Sequence, residues 1–183
     1  MHIGAYLELL GRRFPNISGL LHPNKFALPD IQFNPDGWET CDAVFVVHVT
    51  NHWLCLTNIN PNSHGVWLIY DSLCTADTNF CDLKPVFAKL RPYLKESKLP
   101  FIVETVTLPL VQRQFGSNDC GLFALAYAQT LCELKDPGKH MYNQLMMRYG
   151  FNECMKDSEC WPFMRVEVAN ADISYQRHAV DLE

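Results

Sequence analysis

Charge is scarce in this chain and nowhere forms a run. Only 19% of its 183 residues are charged, the net charge is −5 and the pI is near 5.8. Without a basic stretch there is no electrostatic footprint for nucleic acid, so a nucleic-acid-binding role is excluded. No apolar run is long enough to span a bilayer, which excludes a membrane-spanning helix. The first residues, "MHIGAYLELLGRRF", are amphipathic and lack the charged-then-apolar order of a signal peptide. No C-x-x-C pair occurs among the eight cysteines, so zinc-ribbon and thioredoxin readings fail on spacing. Cys154, Cys160 and His140 match no common metal pattern either, and no cofactor is expected. Internal repeats and low-complexity segments are also missing.

What is present is apolar: 48% of residues, enough for a well-packed core and far from a disordered composition. The length suits one domain over residues 1–183. A chain of this size needs no disulfide staples, so the cysteines read as free thiols in a reducing compartment, cytoplasm or nucleus.

Ile3, Tyr6, Leu7, Leu10 and Phe14 recur at helical spacing, predicting a helix over residues 2–13 that Pro15 ends. Residues 16–42 are rich in Pro, Asn, Gly and Asp and read as a long loop. Three β-branched or aromatic runs follow at 43–49, 52–59 and 65–73, the last two joined by the turn signal "NPNSHG" and read as a hairpin. A helix is expected over 84–95, a strand over 101–108, a buried helix from about Cys120, and another helix over 139–155. The pattern predicts an α+β fold with a mixed, mainly antiparallel sheet flanked by helices.

The stretch "QFGSNDCGLFALAYAQ", residues 114–129, carries the first chemical signal. Ser117, Asn118 and Asp119 are helix-start residues, and the run from Leu122 to Leu131 has no charge, so Cys120 sits at the mouth of a buried helix. The free N–H groups and positive dipole end of such a position favour a thiolate, which is a nucleophile. A cysteine nucleophile needs a histidine to take its proton and a third group to orient that histidine. His52 begins one strand of the expected hairpin and Asp71 ends the other, so the two should meet across the ladder. His48 is the rival base, but its place within an apolar strand suits a core histidine. Gln114, six residues before Cys120, is placed to return its amide beside the sulfur as an oxyanion donor, with the Cys120 N–H as a second. Gln112 is its obvious rival. Asp119 reads as a capping or loop-fixing carboxylate rather than a second base.

With "HW", "YDSL" and "QFGSNDCG" in this order, the chain resembles the ubiquitin-like protease superfamily: the SUMO-specific (sentrin) proteases and their adenoviral proteinase relatives. The likeness runs from about His48 to Leu131, and the segment "YNQLMMR" beyond it looks like one in metazoan and mobile-element-associated members. The resemblance implies His52 as general base, Asp71 as its orienter, Cys120 as nucleophile and Gln114 in the oxyanion hole. It also implies Trp53 as one wall of a narrow slot that threads a substrate's Gly-Gly tail, where any side chain would meet the indole. Relatives place the opposite wall on a Trp-Leu segment ahead of the first helix; "MHIGAYLELL" shows none, leaving Trp38 and Trp67 as candidates.

The activity so implied is a thiol protease or isopeptidase acting after the tail of SUMO, ubiquitin or a related modifier. The protein is expected to be a monomer without metal or organic cofactor, with the modifier or its conjugates as partner and no nucleic acid or membrane. Two other readings stand beside it: a viral or transposon-type proteinase that processes a polyprotein, and a retired module that binds a ubiquitin-like protein without cutting it. Acyl transfer to another acceptor would call for a basic cofactor surface, which the negative charge opposes.

Overall fold

A computed structural model describes residues 2–23, 42–49, 51–59, 66–73, 105–168 and 176–178. Its elements, in chain order, are α1 (Ile3–Arg13), β1 (Val44–Val49), β2 (His52–Thr57), β3 (Val66–Tyr70), β4 (Thr105–Leu108), α2 (Cys120–Cys132), a 3-10 turn (Pro137–Lys139), β5 (His140–Tyr142), α3 (Gln144–Asp157), β6 (Arg165–Glu167) and β7 (Gln176–His178). Strands β1-β2-β3-β4-β7 form one sheet in that order, antiparallel throughout except for the parallel β3–β4 pair. Strands β5 and β6 form a small antiparallel sheet of their own. The fold is therefore α+β with a mixed, mainly antiparallel sheet.

Strands β1 and β2 are joined closely: Val49 pairs with His52, and Asn51 takes a left-handed φ of 64°. Asparagine tolerates that region, and two-residue hairpins require it. This turn sets His52 as the first residue of β2.

Helix α2 has every residue from Cys120 to Cys132 buried. A helix apolar on all sides must be enclosed on all sides. It packs against β1 and β2, and α1 and α3 pack against it in turn. Its buried polar side chains are satisfied: Gln129 from outside the helix, donating to Trp161 O (3.1 Å) and accepting from Phe163 N (3.0 Å), and Thr130 within it, donating to Ala126 O (2.8 Å). Burial of such groups without partners would cost a few kcal/mol each. Helix α1 contributes Ile3, Tyr6, Leu7 and Leu10 to the core, with Tyr6 stacked on Phe151 of α3 at 5.8 Å.

Several expectations are corrected. Residues 139–143 are not the first turns of a helix; they finish the 3-10 turn and form β5, and the helix starts only at Gln144, with Asn143 accepting from Met146 N as its cap. The chain is held extended there because Gln112 pairs with the Tyr142 backbone through both its amide oxygen and its amide nitrogen. Strand β3 ends at Tyr70, earlier than expected, and Asp71 lies just past it. Strands β6 and β7 are too short to show a period in sequence. The expected helix over 84–95, most of the loop 16–42 and residues 101–104 lie outside the described residues.

Candidate active site

Three stretches of chain carry the candidate residues. The first is the head of β2. The register pairs Cys55 with Tyr70, so continuing it sets Asp71 opposite Leu54 and makes His52 the diagonal neighbour. The expected contact forms, but across the diagonal, which a long side chain can span. His52 Nε2–H donates to Asp71 Oδ1 at 2.6 Å. Asp71 is buried to 2% exposure, and the same oxygen accepts from Leu73 N at 2.8 Å. The carboxylate is thus fixed by main chain on one side and fixes the imidazole on the other. That bond leaves Nδ1 as the other ring nitrogen, and Nδ1 is buried with no hydrogen-bond partner. A carboxylate on Nε2 holds the proton there and leaves Nδ1 basic.

The second stretch is the segment that enters α2. Gln114 is 4% exposed, and its backbone N–H donates to Ser72 O at 3.0 Å. Ser72 Oγ donates to Gln114 Oε1 at 2.6 Å, and Gln114 Nε2 donates to Gly116 O at 2.7 Å. A carbonyl can only accept, so the contact with Gly116 identifies the amide nitrogen without ambiguity. One N–H of Gln114 is used on Gly116, and one remains. Gln112 is spent on Tyr142 and its own carbonyl accepts from Tyr127 Oη at 2.9 Å, so the rival glutamine is structural.

The third is Cys120, first residue of α2 and 6% exposed. Its helix packs across β2, the strand that His52 begins. Asp119 makes no side-chain cap bond, which corrects half of its expected role; its carboxylate turns instead to Gln144 (2.7 Å) and Arg148. The loop-fixing half holds. The first-turn N–H groups of α2 have no helical partner, and the Asp119 side chain caps none of them. Burial raises the thiols of Cys55, Cys154 and Cys160 and pushes that of Cys132 up to about 12, which marks them as inert neutral filler. All five described cysteines are free.

Trp53 is half-buried next to His52, with His48 against its ring at 4.7 Å between centroids. His48 is exposed at the end of β1, not a core histidine, because the strand's burial stops one residue earlier. Trp67 is 3% exposed and packs on Phe45, so it cannot line an open slot; Trp38 lies outside the described residues. Cys154 and Cys160 meet Trp161 and Gln129, and no metal-binding cluster occurs among the described residues.

Sequence reasoning assigned no role to Ser72, Gln144 or Arg148, although all three lie in segments quoted for other reasons. Hydroxyl and amide side chains carry no periodic signal, and their bonds span 42 and 29 residues of chain.

A buried carboxylate–imidazole pair, an amide with a spare N–H and a thiol at a helix N-terminus are the parts that acyl transfer requires. The model of the Ulp1 protease family, C-terminal catalytic domain, matches residues 27–161. No curated protein matches. Among solved structures, the SUMO protease Ulp1 with its catalytic cysteine oxidised to a sulfonic acid is 12% identical with a TM-score of 0.65, covering 85% of this chain and 76% of that one. Its sulfenic-acid form is 11% identical with a TM-score of 0.62 over the same shares. The Ulp1 protease domain in complex with Smt3, the yeast ortholog of SUMO, is 13% identical with a TM-score of 0.55, covering 74% and 66%. At such identities the structural likeness speaks for the fold, and the family match over most of the chain speaks for membership. This chain belongs to the Ulp1 protease family and is a cysteine peptidase.

Proposed function

We propose that this peptidase cleaves the bond after the Gly-Gly-type tail of a ubiquitin-like modifier, with Cys120 as nucleophile, His52 as base, Asp71 as its orienter and Gln114 as oxyanion donor. The observation that carries the reading is the 2.6 Å His52–Asp71 bond, which leaves a buried, unpartnered Nδ1 on the ring. A related protease in complex with Smt3 supports a ubiquitin-like partner.

In this reading Cys120 gives its proton to His52 Nδ1, and Sγ attacks the scissile carbonyl. The carbonyl oxygen takes up the electron pair and receives N–H bonds from Gln114 Nε2 and the Cys120 backbone. Collapse expels the amine, which leaves with the proton from Nδ1, and a thioester remains. Water then loses a proton to Nδ1 and attacks the thioester; collapse breaks the C–S bond, Nδ1 returns the proton to Sγ to regenerate the thiol, and the modifier's new carboxyl group leaves as the carboxylate with its proton lost to solvent. Asp71 stays ionised throughout and steadies the imidazolium. Trp53 serves as one wall of the tail slot, and the reduced thiols suit a site of action in cytoplasm or nucleus.

The test is a panel of ubiquitin, SUMO and related modifiers bearing a C-terminal electrophile, read by intact mass on wild type and Cys120→Ala. An adduct with wild type alone identifies the nucleophile and the modifier together. If no modifier reacts while iodoacetamide still labels Cys120 ahead of the other cysteines, the modifier reading falls and the polyprotein-processing reading replaces it.

A further inference from the structure

We infer that Gln144 and Arg148 of α3 are positioning residues for acyl transfer, holding the loop 115–119 in the shape that aims Gln114 and the Cys120 N–H at one point. The inference rests on the proposed roles of those two residues. The loop has little else to shape it: Phe115, Gly116, Ser117 and Asn118 are exposed, and Gly116 sits at a φ of +74°. An exposed segment with no buried side chains of its own gets no conformation from packing.

Gln144 supplies one. Its Oε1 accepts from Phe115 N at 2.8 Å, and its Nε2 donates to Phe115 O at 2.9 Å and to Asp119 Oδ2 at 2.7 Å. One side chain therefore holds the residue after Gln114 and the residue before Cys120. Arg148 lies four positions on, so it shares the Gln144 face of α3. Its Nη2 donates to Asn118 O at 3.4 Å and to the other Asp119 oxygen.

The carboxylate of Asp119 is in this way drawn off the cap of α2, where it makes no bond, and is partly neutralised. The two residues are not equal partners. The Arg148 side chain is 60% exposed, and exposed ion pairs contribute little, whereas Gln144 is half-buried and uses its acceptor and both donors. Gln144 is the principal clamp.

The test compares two small reagents, so it needs no modifier. Acylation by p-nitrophenyl acetate passes through a tetrahedral oxyanion and expels p-nitrophenolate; alkylation by iodoacetamide displaces iodide at carbon and forms no oxyanion. Rates on Cys120 are measured for wild type, Gln144→Leu, Gln144→Glu, Arg148→Met and Gln114→Ala, with Cys120→Ala as background and thermal midpoints as the folding control. Gln144→Glu keeps the volume but cannot donate, so it carries the test if Gln144→Leu does not fold. The expected result is a roughly tenfold or larger loss of acylation in the Gln144 variants, about two- to fivefold in Arg148→Met, and alkylation within about twofold of wild type. Acylation and alkylation falling together would overturn the inference, because the thiol itself would then be displaced; so would an unchanged acylation rate in the Gln144 variants. If Gln114→Ala is also without effect, the oxyanion role of Gln114 fails with it; if Gln114→Ala is slow and the Gln144 variants are fast, only the clamp fails.

Discussion

Replacing Ser72 with alanine removes one hydroxyl and leaves both neighbouring backbones intact. In the folded protein that hydroxyl donates to Gln114 Oε1 at 2.6 Å, with Ser72 1% and Gln114 4% exposed, so the oxygen loses its partner where water does not replace it. A buried acceptor left unsatisfied costs about 1–3 kcal/mol of stability, or a thermal midpoint lower by about 2–12 °C for a domain of this size. The catalytic effect has an upper bound. Deleting an oxyanion donor outright costs about 10²–10³ in kcat, and Ser72→Ala does not delete it. The Gln114 N–H still donates to Ser72 O, and Nε2 still meets Gly116 O. An amide flip is opposed, because it would point two carbonyl oxygens at each other. What is lost is the aim of the remaining N–H, so kcat should fall about tenfold with KM within about threefold. The assay is steady-state turnover of the modifier conjugate picked out by the electrophile panel, with Gln114→Ala alongside. A lower melting point with kcat within twofold of wild type would refute the argument and leave Ser72 a purely structural residue.

Three other perturbations follow from the same geometry. Asp71→Asn should cut kcat/KM at least tenfold, since the charge that steadies the His52 imidazolium is gone; turnover at the wild-type level would remove Asp71 from the mechanism. Gly19→Ala should destabilise the fold by roughly 2 kcal/mol or more, because Gly19 has a φ of +85° and an added Cβ would lie 2.7 Å from Val44 O; chemical denaturation checks this, and an unchanged midpoint refutes it. Burial raises the Cys132 thiol from 9.0 to about 12, so the unfolded chain releases that proton first. The stability Cys132 contributes is then complete below about pH 9 and lost as pH climbs to about 12, and Cys132→Ala should flatten that part of the pH–stability curve.

The parts legible in the sequence are those with a local signature. Helix α1 shows its apolar stripe, α2 its uncharged run, and β1 to β3 their β-branched content. The candidates His52, Asp71 and Cys120 each stand next to a change of secondary structure, and Gln114 is marked by its place six residues before Cys120. The illegible parts depend on partners far along the chain. The stretch 139–143 looks helical by composition, yet Gln112 pairs with Tyr142 and the short β5 pairs with β6. Tertiary pairing there overrides local propensity. His48 looks like core because its strand is apolar, yet the hairpin turn brings the chain to the surface just beyond Val47. The diagonal contact of His52 with Asp71 depends on register, which the loop joining β2 to β3 does not disclose.

Two kinds of support divide the site, and they should fail differently. His52 and Asp71 are held by the sheet: strand register brings them together, and the Leu73 N–H fixes the shared carboxylate oxygen. Gln114 and the approach to Cys120 are held by side chains reaching from elsewhere: Ser72 from the end of β3, and Gln144 and Arg148 from α3. Substitutions on the sheet side should therefore disturb proton transfer, and with it alkylation and acylation of Cys120 alike. Substitutions among the bracing side chains should leave alkylation near its normal rate and slow acylation. Because strand register holds one group and side chains from α3 brace the other, Asp71→Asn combined with Gln144→Leu should give losses in acylation that multiply to within about twofold. Losses that fall well short of the product would mean that the bracing loop also positions the imidazole, and the division argued here would be wrong.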